Sequence, residues 1–232
     1  MSYYNIKKPN FKATLSLIDQ QSFDYPINLN SITTQKDGQV KEITINPLQS
    51  YFLKGRPGRG KTALAVHIAK EWLTRFEAYQ NDKFDQFSNG NGAFTYQWND
   101  DMYLGKVNFV PMNQLITCIN DGFGMQSSSE AKAIYQRWCE MPLLIIDDLG
   151  KEKLSEFRIE KVFNLLNARY ENQLQTVITT NFNLATLAEL GYSEALISRI
   201  LSLCGTDNVI EVYSSVDYRM ASKSIETKFE NC

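Results

Sequence analysis

A glycine-rich segment at residues 55–62 constrains the fold of this chain more than any other part of its sequence. The segment is G-R-P-G-R-G-K-T, which matches the pattern G-x-x-x-x-G-K-[ST] at every fixed position. Glycines at these spacings let the backbone curl so that successive N–H groups point inward at phosphate oxygens. An apolar run precedes the segment at residues 51–53, and apolar residues three and four apart follow it. The sequence therefore predicts a phosphate-binding loop between a strand and a helix.

The residues of this loop have different predicted roles. The cradle for the phosphates consists of Gly55, Arg56, Pro57, Gly58, Arg59 and Gly60. We expect Lys61 to reach the β- and γ-phosphates of a nucleotide and the hydroxyl of Thr62 to ligate Mg²⁺. The positive N-terminal end of the following helix adds to the attraction for phosphate. A glycine-rich turn without a ligand is the alternative, and the agreement between pattern and context disfavours it.

Two adjacent acids, Asp147 and Asp148, follow the buried-strand signal L-L-I-I at residues 143–146. In a fold with a phosphate-binding loop, the end of such a strand lies beside that loop. We expect Asp147 to hold Mg²⁺ through water, and Asp148 to orient or deprotonate an attacking water molecule. The alternative is that the two acids only cap the strand before the turn at Leu149 and Gly150.

Two later polar residues are candidates for the same site. Asn181 follows the β-branched run at residues 176–180, from where its amide can reach a γ-phosphate and hold a water molecule. Its alternative role is a strand-to-loop turn. Arg199 lies on a predicted helix at residues 194–203 whose other central residues are mostly apolar, which suggests a charge presented at an interface. The alternative for Arg199 is a salt bridge within the chain.

Short apolar runs alternate with amphipathic segments through most of the chain. The predicted strands cover residues 51–53, 107–110, 143–146, 176–180 and 209–212. The first predicted helix follows the phosphate-binding loop, and two others cover residues 113–120 and 194–203. Two more helices are predicted to begin at a capping box of Ser127 and Glu130 and at a cap on Ser155. Strands that alternate with helices indicate an α/β fold, with a parallel sheet flanked by helices on both faces.

Two segments differ from this pattern. Residues 1–46 are polar and mixed, and we expect an N-terminal arm there that can bind a partner, with a half-buried strand at 38–45. A nucleotide-binding domain is expected to follow at 47–232. Residues 79–105 resemble an insertion, with seven aromatic residues and four acids against one base. Such a segment can dock a partner protein, because aromatic residues are enriched in interface cores, or can form a local hydrophobic cluster.

The charge balance limits which partners the surface can attract. Lysine and arginine number 24 against 26 acids, for a net charge of −2, so attraction of DNA or membranes to the whole surface is not expected. No apolar run approaches the roughly 18 residues that span a bilayer, and the N-terminus lacks the apolar stretch of a secretory signal. We therefore expect a cytoplasmic protein with no membrane partner, whose four cysteines are free thiols.

These motifs, in this order, resemble AAA+ ATPases, and among them the DnaC/IstB-like group of bacterial helicase loaders and transposition helpers. The resemblance covers residues from about 50 to 220 and rests on G-R-P-G-R-G-K-T, L-L-I-I-D-D-L-G, T-T-N, I-S-R-I and D-Y-R. It implies that the domain at 47–232 is an AAA+ ATPase domain, with a RecA-like P-loop NTPase core and little or no C-terminal lid. It also implies that Asn181 is sensor 1, that Arg199 is an arginine finger for a neighbouring subunit, and that Arg219 acts like a sensor 2 arginine.

The function that the resemblance implies is an ATPase that uses ATP and Mg²⁺ and assembles with ATP into a homo-oligomer. Its partner is then a replicative DNA helicase, which it loads onto DNA during replication initiation. The alternative is an IstB-like ATPase helper of a DNA transposase. A small-molecule kinase or GTPase is a third class, although no guanine-reading N-K-x-D motif follows the loop.

Single-stranded DNA is a further expected partner. In AAA+ initiators and loaders, the helices after the second strand often face DNA, and the matching region here is about 112–138. It carries Lys132, Tyr135, Arg137 and Trp138, which together suit stacking on bases and contact with phosphates. The alternative is an ordinary amphipathic helix with the two aromatic residues in the core and the charges in solvent.

Overall fold

The computed structural model describes residues 27–36, 38–88, 107–125, 127–152 and 154–214, with side chains as far as residue 75 in the helix that ends at 88. The strands within these ranges are β1 (Ile32–Lys36), β2 (Gln39–Ile43), β3 (Tyr51–Lys54), β4 (Val107–Pro111), β5 (Leu143–Leu149), β6 (Gln175–Thr180) and β7 (Val209–Glu211). The helices are α1 (Lys61–Ser88), α2 (Met112–Phe123), α3 (Ser129–Glu140), α4 (Glu156–Glu171), α5 (Leu184–Glu189) and α6 (Glu194–Cys204).

The central element is a five-stranded sheet with the strand order β4-β5-β6-β3-β7. Every neighbouring pair in this sheet is parallel, as the alternation of strands and helices predicts. Strand β3, which leads into the glycine-rich loop, lies between β6 and β7. Because carboxyl ends of parallel strands meet at one edge, this order brings the ends of β3, β5 and β6 together.

Helices cover both faces of the sheet, which confirms the predicted α/β fold. One core lies between the sheet and the helices α2, α3, α4 and α6, and Phe52, Ile146 and Ile178 contribute to it from the strands. The other core lies beneath α1 and includes the alternate strand residues Leu53 and Ile145. Since both faces are covered, these strands are apolar along their whole length rather than at every second residue.

An antiparallel hairpin of β1 and β2 extends the sheet beyond β7. Thr34 forms an antiparallel bridge with Val212, and the N–H of Tyr213 donates to the carbonyl of Thr33 at 3.1 Å. The predicted strand at 38–45 is confirmed as β2, but its predicted half-burial is wrong for most of its length. As the outer strand of a two-stranded sheet, β2 is exposed over its first four residues.

The start of α3 differs by one residue from its prediction. Ser128 is the N-cap, and its hydroxyl accepts the N–H of Ala131 at 3.2 Å. The predicted capping box of Ser127 and Glu130 is therefore wrong, because consecutive serines give more than one register for the same pattern. Ser155 caps α4 as predicted.

The predicted insertion at 79–105 overlaps the end of α1, which continues to Ser88. The first ten residues of that segment are therefore helical, and residues 89–105 lie outside the described part of the chain. None of the helices in the described ranges is long and apolar enough to cross a membrane.

A fully buried arginine, Arg169, joins the end of α4 to two neighbouring elements. Its Nε donates to the hydroxyl of Thr176 at 2.8 Å, and its terminal nitrogens donate to the carbonyls of Trp138 at 2.7 Å, Met141 at 2.8 Å, and Gln175. Burial lowers the pKa of Arg169 to about 9, which leaves the guanidinium charged at neutral pH. One side chain thus satisfies carbonyls at the end of α3 and the start of β6.

Candidate nucleotide-binding site

The glycine-rich loop connects β3 to α1 at the carboxyl edge of the sheet. Gly60, directly before the helix, has φ +83°, a conformation that other residues rarely adopt. Gly55 lies so close to the last strand that a Cβ there would come within 2.7 Å of the Val212 carbonyl oxygen. The first N–H groups of α1 have no partner within the helix, which makes them donors for an anionic ligand.

Lys61 and Asn181, predicted from separate motifs, are in direct contact. Lys61 is 6% exposed, and its Nζ donates to Oδ1 of Asn181 at 2.8 Å and to the carbonyl of Arg56 at 2.9 Å. Both of these acceptors are neutral, so they satisfy hydrogen bonds of the ammonium without cancelling its charge. The ammonium and the amide therefore converge where a γ-phosphate is expected to lie.

Asp147 lies at the end of β5 and is buried. Its Oδ1 accepts hydrogen bonds from the hydroxyls of Thr62 at 2.9 Å and Thr179 at 2.6 Å. Burial raises the pKa of the Asp147 carboxyl, and the two hydroxyl donors partly oppose that rise. Strand β6 separates β5 from β3 in the sheet, yet the carboxylate still reaches the first turn of α1.

The environment of Asp147 fits a magnesium ion. Mg²⁺ prefers hard oxygen ligands and keeps several of its waters, so that one or two protein oxygens beside the phosphates are enough to hold it. Thr62 supplies a hydroxyl and Asp147 a carboxylate at adjacent positions. These are the two residues that the sequence predicts as metal ligands.

Asp148 differs from its neighbour in both backbone and environment. Its φ of +63° is left-handed, and the register of β5 against β6 shifts between Ile146 and Leu149. Its N–H donates to the Thr179 hydroxyl at 3.0 Å, and its half-buried carboxylate pairs with Lys151 at 2.5 Å. The bulge therefore turns two consecutive carboxylates to different surroundings, one buried on threonine hydroxyls and one partly exposed beside Lys151.

The two loop arginines have different positions. Arg56 is exposed, whereas the guanidinium of Arg59 donates to the carbonyl of Ser214, beyond the end of β7. Arg59 thus ties the loop to the chain that follows the last strand. Arg219, the predicted sensor 2 residue, lies outside the described residues, as does the region where a C-terminal lid would be sought.

Arg199 contacts α4 rather than the loop of its own chain. Its Cζ lies 4.3 Å from the ring centroid of Tyr170 and 5.9 Å from that of Phe163. Across the described ranges Arg199 forms no salt bridge, and its Nε is buried without a hydrogen-bond partner. The alternative of an intrachain salt bridge therefore finds no partner among those residues.

The aromatic residues of α3 are not available for base stacking. Tyr135 is 7% exposed and Trp138 2%, and the Tyr135 hydroxyl donates to the carbonyl of Lys161 at 2.6 Å. The expectation that they contact single-stranded DNA is wrong, because they lie on the apolar stripe that faces α4. Lys132 and Arg137 are exposed on the same helix.

Thr179 is a residue of the site whose role the sequence analysis missed. The sequence pattern places it only in a buried strand, yet its hydroxyl contacts both aspartates of β5. The available signal is its position at the end of a strand, two residues before Asn181. Its use requires knowing that β5 and β6 are neighbours, which local pattern does not give.

The fold and the site together define a P-loop nucleotide-binding protein of the AAA+ class. The chain belongs to the family of IstB-like ATP binding proteins, whose family model matches residues 105–224, just over half of the sequence. The matched region includes both aspartates of β5, Asn181 and Arg199, and it begins after the P-loop. No curated protein matches the chain.

Solved structures with the same fold include proteins of DNA replication. The DnaC helicase loader matches with a TM-score of 0.50 and 22% identity, over 73% of this chain and 82% of that one. DnaI matches with a TM-score of 0.50 and 24% identity, over 74% of this chain and 73% of that one. A DNA replication initiation factor matches with a TM-score of 0.53 and 16% identity, over 79% of this chain and 46% of that one. With the family match, these confirm the resemblance to the DnaC/IstB-like group.

Proposed function

We propose that this protein hydrolyses ATP with Mg²⁺ at the site around Lys61. The observation that carries this proposal is the paired contact of Lys61 with Asn181 and of Thr62 with Asp147. These contacts unite a phosphate-binding ammonium, a polar amide and two metal-ligating oxygens at one edge of the sheet. Hydrolysis needs all of these groups together, whereas binding alone does not.

Each residue then has one role in hydrolysis. Lys61 binds the β- and γ-phosphates, and Asn181 orients the attacking water beside the γ-phosphate. Asp148 accepts the proton of that water, because its carboxylate is the more exposed of the two, beside Lys151. Thr62 and Asp147 hold Mg²⁺, which when bound neutralises charge on the phosphates.

Arg199 completes the site of a neighbouring copy. A guanidinium without a carboxylate partner keeps its charge for an anion, and this one lies on α6 against the Tyr170 ring. Mixing Arg199→Ala with Lys61→Ala tests this proposal. Each variant should be inactive alone, but an interface between the two pairs an intact Arg199 with an intact P-loop. Phosphate release should return in the mixture and rise with protein concentration. Co-assembly without phosphate release would show that Arg199 does not act on a neighbour.

The cellular role that we propose is loading of a replicative helicase onto DNA. The motif order and the fold shared with the DnaC helicase loader support this role. The Asp148→Asn variant should hold ATP without turning it over, so with ATP it should capture the helicase of the source cell. Lys61→Ala, which cannot bind ATP, is the matched control and should capture much less. Equal capture by both variants would contradict an ATP-dependent loader.

The second candidate is an ATPase helper of a DNA transposase, which the IstB-like family match favours. A transposition helper should assemble with ATP on duplex DNA, whereas a helicase loader should prefer single strands. Gel filtration of the wild-type protein with ATP and either form of DNA separates the two. Assembly on duplex alone, with capture of a transposase by Asp148→Asn, would decide for the helper.

A further inference from the structure

The guanidinium of Arg199 is held by aromatic rings. Its Cζ lies 4.3 Å from the ring centroid of Tyr170 and 5.9 Å from that of Phe163, both on α4. A cation over an aromatic face is attracted by the negative face of the ring, and a planar guanidinium also stacks on it. The rings therefore hold the guanidinium against α4 without neutralising its charge, as a carboxylate would.

Tyr170 presents its ring from a rigid support. It lies in the last turn of α4, next to Arg169, whose guanidinium donates to acceptors on α3 and β6. The following backbone closes the helix, because the N–H of Gln173 donates to the Tyr170 carbonyl at 3.1 Å. Tyr170 is nonetheless 42% exposed, so this support stands at the protein surface.

The stacking leaves one edge of Arg199 available. Of its nitrogens, only Nε is buried without a partner, and Arg199 forms no ion pair or hydrogen bond within the described ranges. Its two terminal nitrogens are not among the buried atoms without a partner, and no hydrogen bond of the described residues uses them. A guanidinium that rests on a ring and has no hydrogen bond on its terminal nitrogens can donate them to the oxygens of a phosphate.

We propose that Tyr170 is a positioning residue for Arg199, which holds the guanidinium in the orientation that reaches the γ-phosphate bound by a second copy of this chain. This inference rests on the proposed role of Arg199 in a neighbouring site. Tyr170 does not touch the nucleotide itself. It acts by reducing the number of orientations that the Arg199 side chain samples before the two copies meet.

The test extends the mixture of inactive variants. In the mixture, the Arg199→Ala chain supplies the intact P-loop and the Lys61→Ala chain supplies Arg199. A change at Tyr170 placed in the Lys61→Ala chain therefore affects only the chain that donates Arg199. With Lys61→Ala/Tyr170→Ala as donor, phosphate release should fall roughly tenfold below that with Lys61→Ala alone. Donors carrying Tyr170→Phe, which keeps the ring, or Phe157→Ala, an exposed aromatic elsewhere on α4, should retain full release.

Each outcome of this experiment bears on a separate statement. Equal release with and without the Tyr170→Ala change overturns the positioning role while Arg199 still acts on its neighbour. Loss with Tyr170→Phe as well as with Tyr170→Ala overturns stacking as its basis. No release in the parent mixture, although the variants co-assemble, overturns the role of Arg199 and this inference with it. Tyr170→Ala alone should bind an ATP analogue with wild-type affinity, which separates positioning from loss of fold.

Discussion

The hydroxyl of Thr179 donates to Oδ1 of Asp147 at 2.6 Å, and thereby links β6, the strand that precedes Asn181, to the buried carboxylate of β5. The same hydroxyl accepts the N–H of Asp148 at 3.0 Å. Thr179 is fully buried, so water cannot replace either contact. This one residue therefore fixes both the ionised oxygen of Asp147 and the backbone that turns Asp148 outward.

Thr179→Val should weaken the response of the ATPase to Mg²⁺. Burial already raises the pKa of Asp147, and loss of a donor to its carboxylate raises it further. Because Asp147 binds the metal in its ionised form, Mg²⁺ affinity should fall as the pH is lowered, and in the variant this fall should begin at higher pH. The Mg²⁺ concentration for half-maximal ATPase activity should increase about tenfold at neutral pH, since a hydrogen bond to a charged group contributes roughly 1.5–3 kcal/mol.

Thr179→Ser, which keeps the hydroxyl, is the control for this substitution and should retain the wild-type Mg²⁺ response. If Thr179→Val shows the wild-type Mg²⁺ midpoint across the pH range, the threonine does not tune the metal ligand.

Lys61→Ala should abolish ATP binding or weaken it severely. The ammonium meets two phosphates, and each charge-assisted contact contributes roughly 1.5–3 kcal/mol. Titration with a fluorescent ATP analogue measures the loss directly. Lys36→Ala, at an exposed lysine of β1, controls for removal of a positive charge. Wild-type affinity in Lys61→Ala would contradict the assignment of the P-loop.

Asp148→Asn and Asp147→Asn should fail in different ways. Asp148→Asn still binds Mg·ATP but hydrolyses it far more slowly, because an amide cannot accept the proton of the attacking water. Asp147→Asn should instead lose the stimulation of nucleotide binding by Mg²⁺. Analogue binding with and without Mg²⁺, together with phosphate release, separates the two variants. Normal hydrolysis by Asp148→Asn would mean that the two carboxylates have exchanged roles.

Arg169→Met should lower the free energy of unfolding by roughly 3 kcal/mol or more. The change leaves buried acceptors at the end of α3 and the start of β6 without their donor, and each such acceptor costs about 1–3 kcal/mol. Urea denaturation followed by circular dichroism gives the difference. Arg137→Met, at an exposed arginine of α3, should change it by about 0.5 kcal/mol at most. Comparable midpoints for the two variants would contradict the role of Arg169.

Single-stranded DNA should bind in the presence of ATP with a modest dependence on salt. The net charge is −2, so only a few phosphates can be neutralised. Lys132→Ala and Arg137→Ala should each weaken binding in fluorescence anisotropy, because both side chains are exposed on α3. Tyr135→Phe should leave it unchanged, since that ring is buried. Unchanged affinity in both charge variants would move the DNA site elsewhere, for example to Arg56.

The sequence predicts the parts of the site that local chemistry dictates. The P-loop is recognisable because glycines, a lysine and a threonine must follow one another at fixed spacing, and Asp147 ends an apolar run that must be a buried strand. Contacts between distant segments leave no such pattern. Thr179 contacts the two aspartates through strand register, and Tyr170 contacts Arg199 through helix packing, and neither of these has a local signature.

In α3 the spacing of the apolar residues indicates the buried face of the helix better than the types of residue that it contains. Ala131, Tyr135 and Trp138 lie four and three residues apart, which is the spacing of a core-facing stripe. Their burial follows from that spacing, whereas the presence of aromatic residues beside Lys132 and Arg137 suggested a surface for bases.

The order of strands in the sheet determines when the P-loop can take its shape during synthesis. Strand β3 leaves the ribosome early, but its two sheet neighbours, β6 and β7, are translated much later. Gly55 packs against Val212, and the hairpin of β1 and β2 reaches the sheet through the same residue. A nascent chain that ends before β7 therefore has the nucleotide-binding motif without its supporting edge. We therefore expect nucleotide binding to become possible only late in translation, when β7 pairs with β3.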